Sequence, residues 1–184
     1  MALLTSMIKL RLCIAAIFLG CAVAAFCNEE SAWLQLNKSS QGFLFEGITN
    51  GELFSFDLPG KTVKTAKDNG RAYAMIDGVA VQLFRADRPA PNVDSALKAY
   101  RKSETAYLER AGGVLTESTI CSELKVPHEE WGASLRSMPK SIYLVISLKD
   151  HLLVAALAGS DETVSKSIIE EKLAALCASF AIVD

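Results

Sequence analysis

Histidine is the scarcest chemically useful residue here: His128 and His151 are the only two in 184 positions. Most histidine-based metal sites and nucleophile–base schemes therefore lack raw material, and no metal ligand set can be named. A basic excess is missing as well. The formal net charge is −2, whereas a nucleic-acid binder needs surplus cations to neutralise several phosphates, so no nucleic-acid partner is expected. No GxxxxGK[ST], GxGxxG or G-x-S-x-G pattern occurs, which leaves no phosphate cradle, no dinucleotide fingerprint and no nucleophile elbow. No cofactor is implied and no catalytic residue can be nominated. Ala158-Gly159-Ser160-Asp161 reads instead as a strand exit leading into a helix cap.

What is present begins with an address. Residues 1–27, MALLTSMIKLRLCIAAIFLGCAVAAFC, contain no acid, carry Lys9 and Arg11 near the start, and continue as an uncharged apolar stretch from Leu12 to Phe26. That stretch is short for a membrane span, which needs about 20 residues, and it ends in small residues, so it reads as a signal peptide. Cleavage is expected between Ala25 and Asn28. A lipoprotein reading competes because Phe18-Leu19-Gly20 precedes Cys21, and the membrane would be touched only through the leader or a lipid there. Loss of Lys9 and Arg11 takes the net charge from −2 to −4, suited to an exported protein of the periplasm or extracellular space.

Once Cys13, Cys21 and Cys27 go with the leader, Cys121 and Cys177 are left. An even pair in an oxidising compartment is a disulfide candidate, and we expect these two to pair. The bridge would close a loop of about 56 residues and stabilise by roughly 4 kcal/mol on chain entropy. The alternative is two buried thiols that never meet. Neither lies in a CxxC pair, which argues against redox catalysis.

The mature chain punctuates itself into elements. Residues 42–58 alternate around Asn50-Gly51, the preferred pair for a two-residue hairpin turn. This register sets Phe45 opposite Phe56 and Gly47 opposite Phe54, placing Phe43, Phe45, Phe54 and Phe56 on one face. Leu44, Glu46, Ile48, Leu53, Ser55 and Asp57 fall on the other. Asp77-Gly78 repeats the device, with Ala72, Ala74 and Ile76 aligned on Leu83, Val81 and Val79. Residues 93–111 turn to helical spacing, with Asn92 or Asp94 as cap and Gly112-Gly113 as stop. Strands are expected at 114–126, 130–138, 141–148 and 151–158; the last two are almost wholly apolar and belong at a sheet centre. A second helix is predicted over about 161–179, capped by Ser160 or Asp161, with Val164, Ile168, Leu173, Cys177 and Phe180 as its buried stripe. The class is α+β: one antiparallel sheet of about seven or eight strands with two main helices on its faces, in a single domain over 42–184. Residues 28–41 read as an N-terminal extension, and the basic run Lys61, Lys64, Lys67, Arg71 as a solvated loop.

Within that pattern the segment Phe54-Ser55-Phe56-Asp57-Leu58-Pro59-Gly60, the mid-chain helix 93–111, the hairpin 141–158, and the final helix ending at Ser179-Phe180 resemble the PsbP-like fold family. The resemblance covers nearly all of residues 42–182. It implies a non-enzymatic accessory or binding role, as in the bacterial exported relatives of unassigned role, and carries over no functional residue.

The densest polar cluster is Pro127-His128-Glu129-Glu130-Trp131. Consecutive strand residues point to opposite faces, so it reads as an exposed loop leading into a strand rather than a metal site. With no catalytic set, function is assigned to recognition, and Trp33 and Trp131, beside His128, Glu129 and Glu130, are the candidate binding residues. The partner would be another envelope or secreted protein. A small secreted hydrolase requires His128 or His151 to approach a nucleophile. A small-ligand carrier requires a deep pocket lined by tyrosines and phenylalanines.

Overall fold

The computed structural model describes residues 34–39, 42–49, 52–61, 63–68, 71–136, 138–161 and 163–183. The expected leader, Trp33 and the Asn50-Gly51 turn lie outside the described residues. Six strands come first: β1 (Leu34–Lys38), β2 (Gly42–Thr49), β3 (Glu52–Pro59), β4 (Val63–Asp68), β5 (Arg71–Ile76) and β6 (Val79–Asp87). Helix α1 (Val93–Arg110) follows, then β7 (Val114–Glu117), β8 (His128–Leu135), β9 (Met138–Ser147), β10 (His151–Gly159), helix α2 (Lys166–Ser179) and β11 (Ala181–Val183). The α+β class is as expected.

Both hairpin registers match the sequence reading. Phe45 pairs with Phe56 and Gly47 with Phe54, and the four phenylalanines of that face are all buried. Gly47 is needed there: a Cβ would stand 2.3 Å from the Phe54 ring, which lies across the glycine. Ala72, Ala74 and Ile76 pair with Leu83, Val81 and Val79 around a turn in which Asp77 (φ 49°) and Gly78 (φ 83°) both take left-handed conformations.

The strands form two antiparallel sheets, one more than expected. One has seven strands in the order β4-β5-β6-β10-β9-β8-β7, with β9 and β10 near its centre as their apolar runs require; the other has four, β1-β2-β3-β11. The phenylalanine hairpin has one apolar face, so it lies on the larger sheet rather than extending its edge. Its core residues pack with Ala74, Ile76, Val81, Leu83, Leu144, Leu153 and Leu157 of the seven-stranded sheet and with Ile169, Leu173 and Leu176 of α2. The opposite face of the seven-stranded sheet packs Trp131, Tyr143, Val145, Val154 and Ala156 with Leu97 and Leu108 of α1. Three layers result: the small sheet with α2, the large sheet, and α1.

β8 and β9 begin two and three residues earlier than expected, and four larger differences have a local cause. Within the 28–41 extension, Leu34–Lys38 is a strand, because Leu34 is buried against the phenylalanine face. The basic run is not a loop: β4 pairs with β5 along its length and forms an edge strand, where exposed Lys64 discourages further pairing. The strand expected over 114–126 stops at Glu117, and a turn at 120–123 carries Cys121. Helix α2 starts at Lys166 rather than 161, capped by Ser165, whose Oγ accepts the Ile168 N–H at 3.3 Å. Asp161 is unavailable as a cap because it accepts the Thr163 N–H (2.8 Å) and hydroxyl in a tight turn of its own. The later start rotates the stripe, exposing Ile168 and burying Ile169, Lys172, Leu173, Leu176 and Cys177. Helix α1 follows the sequence reading, with the Asn92 side chain accepting the Ser95 N–H at 3.0 Å and Gly112 (φ 79°) ending it.

Candidate functional site

The His128–Trp131 cluster is not an exposed loop. It opens β8, and the strand divides it between two layers. His128 and Glu130 face the small-sheet side, while Glu129 and Trp131 face α1. The half-buried His128 ring donates from Nδ1 to the Val126 carbonyl at 2.9 Å. Glu129 meets Arg101 of α1 at 2.9 Å, and the same guanidinium holds Glu117 of β7 at 3.0 Å. Burial alone works against the Arg101 charge, but the hydrogen bonds and attraction from Glu129 and Glu117 outweigh it and hold its pKa above the usual arginine value. Arg101 and Glu117 were not singled out from sequence, since only the packing of α1 across β7 and β8 brings them together.

Glu130 and Trp131 are corrected as surface binding residues. Glu130 is buried, and its carboxylate accepts the backbone N–H groups of Ile120 and Cys121, at 2.9 Å for the latter. It therefore shapes the turn that presents Cys121. Trp131 is 1% exposed and stacks on Tyr143 with ring centroids 5.4 Å apart. Its indole is a core element, not an anchor for a partner. Trp33 lies outside the described residues.

Cys121 and Cys177 form the expected disulfide, with Cα atoms 5.5 Å apart. It ties the turn after β7 to the inward face of α2. Disulfides of this kind persist in oxidising compartments, so the bridge is compatible with an exported location. In the same layer, Lys172 of α2 is buried and donates to the Pro59 carbonyl and, at 3.3 Å, to Asp77. Asp77 also receives the Lys61 N–H, so one carboxylate joins α2 to two turns. These contacts fix the frame.

A shallow cleft between the two sheets, lined by Leu34, Leu36, Phe45, Thr65, Ala72 and Tyr73, has a cavity volume of about 10 Å³, room for about one water molecule. That is below the roughly 300 Å³ at which small-molecule sites usually begin. Among the described residues, no group of three or more His, Cys, Asp or Glu is placed to hold a metal ion, and no helix is long and apolar enough to cross a membrane.

The feature that stands out is on the outer face of the small sheet. Among the described residues, five large apolar side chains are exposed, and three of them stand side by side: Ile48 (54%), Leu53 (42%) and Val183 (47%). The ladders make Leu53 the direct neighbour of both, giving a row across β2, β3 and β11. The remaining two, Val114 and Ile168, sit apart on β7 and α2. The hairpin register already placed Ile48 and Leu53 on the face opposite the phenylalanines. The addition of Val183 depends on β11 returning beside β3, which spacing alone does not reveal.

No protein-family model and no curated protein matches this chain.

Proposed function

We propose that the protein is an exported, non-enzymatic accessory protein of the bacterial envelope, in the manner of the PsbP-like family, and acts by binding another protein. The observation that carries this reading is the contiguous exposed row Ile48, Leu53 and Val183 on the outer sheet face. Apolar side chains scattered singly over a surface need no explanation; gathered into one patch they mark an interaction surface. The buried Cys121–Cys177 bridge supports the exported part, and the leader reading of residues 1–27 sets the route. The PsbP-like reading is supported by the chain order: a phenylalanine-bearing β3 leaving through Pro59-Gly60, a mid-chain α1, and the β9–β10 hairpin followed by α2.

The test is cross-linking in the native host, followed by purification of the tagged protein from the envelope fraction. A stoichiometric protein partner and a mature chain starting between Ala25 and Asn28 by intact mass are expected. A diacylglyceryl adduct at Cys21 would replace free export with a lipid anchor. Turnover of a substrate by the isolated protein, with no partner recovered, would overturn the reading in favour of the hydrolase.

A further inference from the structure

We infer that the outer face of the four-stranded sheet is the docking surface for a basic amphipathic helix of a partner protein, an assignment that rests on the recognition reading above. Beside the apolar row, this face carries Leu44 and Glu46 of β2 and Ser55 and Asp57 of β3. The apolar row crosses three strands, a span of about 10 Å at the usual strand spacing. Three anchors at i, i+3 or i+4, and i+7 of an α-helix span about 10 Å as well, at 1.5 Å per residue. The row and such a ridge match in length and in number of contacts.

Charge selects the flank of that helix. Glu46 and Asp57 are the charged residues of the face, both acidic and both exposed, on the same side of the apolar row. Glu46 is held upright by the Asn37 amide, which donates to it at 2.7 Å. Among the described residues, no base on this face answers the two carboxylates, so a helix with lysine or arginine beside its apolar ridge supplies the complement. A second copy of this chain offers the same acids from the same patch, since a two-fold interface is self-complementary. An anionic lipid surface attracts bases and is repelled by this pattern.

The probes are two 18-residue helical peptides with one identical leucine ridge, flanked by lysine in one and by glutamate in the other. Each is titrated by fluorescence anisotropy into the protein as its host produces it. The lysine-flanked peptide should bind at least tenfold tighter. Leu53→Lys should remove that binding, and the pair Glu46→Lys with Asp57→Lys should reverse the preference between peptides. All three positions are exposed, and an unchanged unfolding midpoint verifies that each variant is folded. Equal affinity for both peptides, or lysine-peptide binding that survives Leu53→Lys, would overturn the surface assignment. So would self-association of the wild type abolished by Leu53→Lys, or binding to phosphatidylglycerol vesicles through this face. A native partner recovered equally by wild type and Leu53→Lys would overturn this surface while leaving the recognition reading intact.

Discussion

The two sheets are built from similarly apolar strands, yet an apolar residue means something different in each. In the seven-stranded sheet, β10 runs LLVAALA with every one of those residues buried, because one layer covers Leu153, Ala155 and Leu157 and another covers Val154, Ala156 and Ala158. Continuous apolar sequence there reports central position and nothing further. In the four-stranded sheet only one face is covered, and β3 alternates buried Phe54, Phe56 and Leu58 with outward Leu53, Ser55 and Asp57. On a strand of that kind an outward leucine breaks the alternation without contributing to the core. Valine at 145 or 154 is explained by the fold; isoleucine at 48, leucine at 53 and valine at 183 are not.

The comparison is broken or upheld most forcefully by removing large rings from the two cores. Phe56, stacked on Phe45 with centroids 4.9 Å apart, belongs to the small sheet, and Trp131 to the large one. Each is 1% exposed, and replacement of either by alanine should cost roughly 3–5 kcal/mol in urea unfolding. Trp131→Ala also separates the two meanings of an aromatic residue. Loss of partner capture with an unchanged midpoint would make Trp131 an anchor after all; a lowered midpoint is the expected result.

The disulfide sharpens the contrast between layers. It joins α2, which shares a layer with the small sheet, to the turn that precedes β8. Substituting both cysteines by serine should destabilise by about 2–5 kcal/mol. Hydrogen exchange should then rise first in α2 and in β3, against which α2 packs. Helix α1, on the far side of the large sheet, should keep its protection until global unfolding. Equal loss of protection on both sides would show that the layers open together.

Much of this fold was legible because local chemistry and tertiary packing agree. Phe43, Phe45, Phe54 and Phe56 share a face only in one register, and that register is also the one demanded by a two-residue Asn-Gly loop. The splitting into two sheets was not legible, since a hairpin with one apolar face can either join a sheet edge or lie upon a sheet. The start of α2 differs from the sequence reading because Asp161, a cap by residue type, is taken by the Thr163 contacts and Ser165 caps the helix instead. At the candidate site the sequence drew attention to the polar cluster at 128–131, where side-chain density is high. There the strand sends neighbours to opposite layers, and the buried members serve the frame. The apolar row was half visible in Ile48 and Leu53 and needed the return of β11 for its third member.

Helix caps give a smaller test of the same agreement. Asn92 stands where sequence and structure coincide, its side chain bonded to the Ser95 N–H. Asn92→Ala should cost about 1 kcal/mol, whereas Asn92→Gly should cost only a few tenths. Thermal unfolding with the two variants side by side measures the difference. If alanine and glycine behave alike, the cap contributes little and α1 is held by Leu97 and Leu108 packing alone.

The smallest effect concerns Asp161, where sequence and structure part. Its pKa is lowered, first by the hydrogen bond from the Thr163 side chain and next by that from the Thr163 N–H. A carboxyl whose folded value lies below its unfolded one stabilises above the unfolded value, near pH 4 for aspartate. That contribution is lost as pH falls through the lowered folded value. The group is fully exposed, so the slope in stability should be slight and is better followed through the Thr163 amide resonance. The wild-type resonance should titrate below the ordinary aspartate range. In Thr163→Val, which keeps the backbone bond and removes the hydroxyl, it should move back toward that range. Helix α2 should still begin at Lys166 in that variant, because Ser165 continues to cap it. Extension of the helix back to 161 on loss of one hydroxyl would instead show that Asp161 had been held from capping by the turn alone.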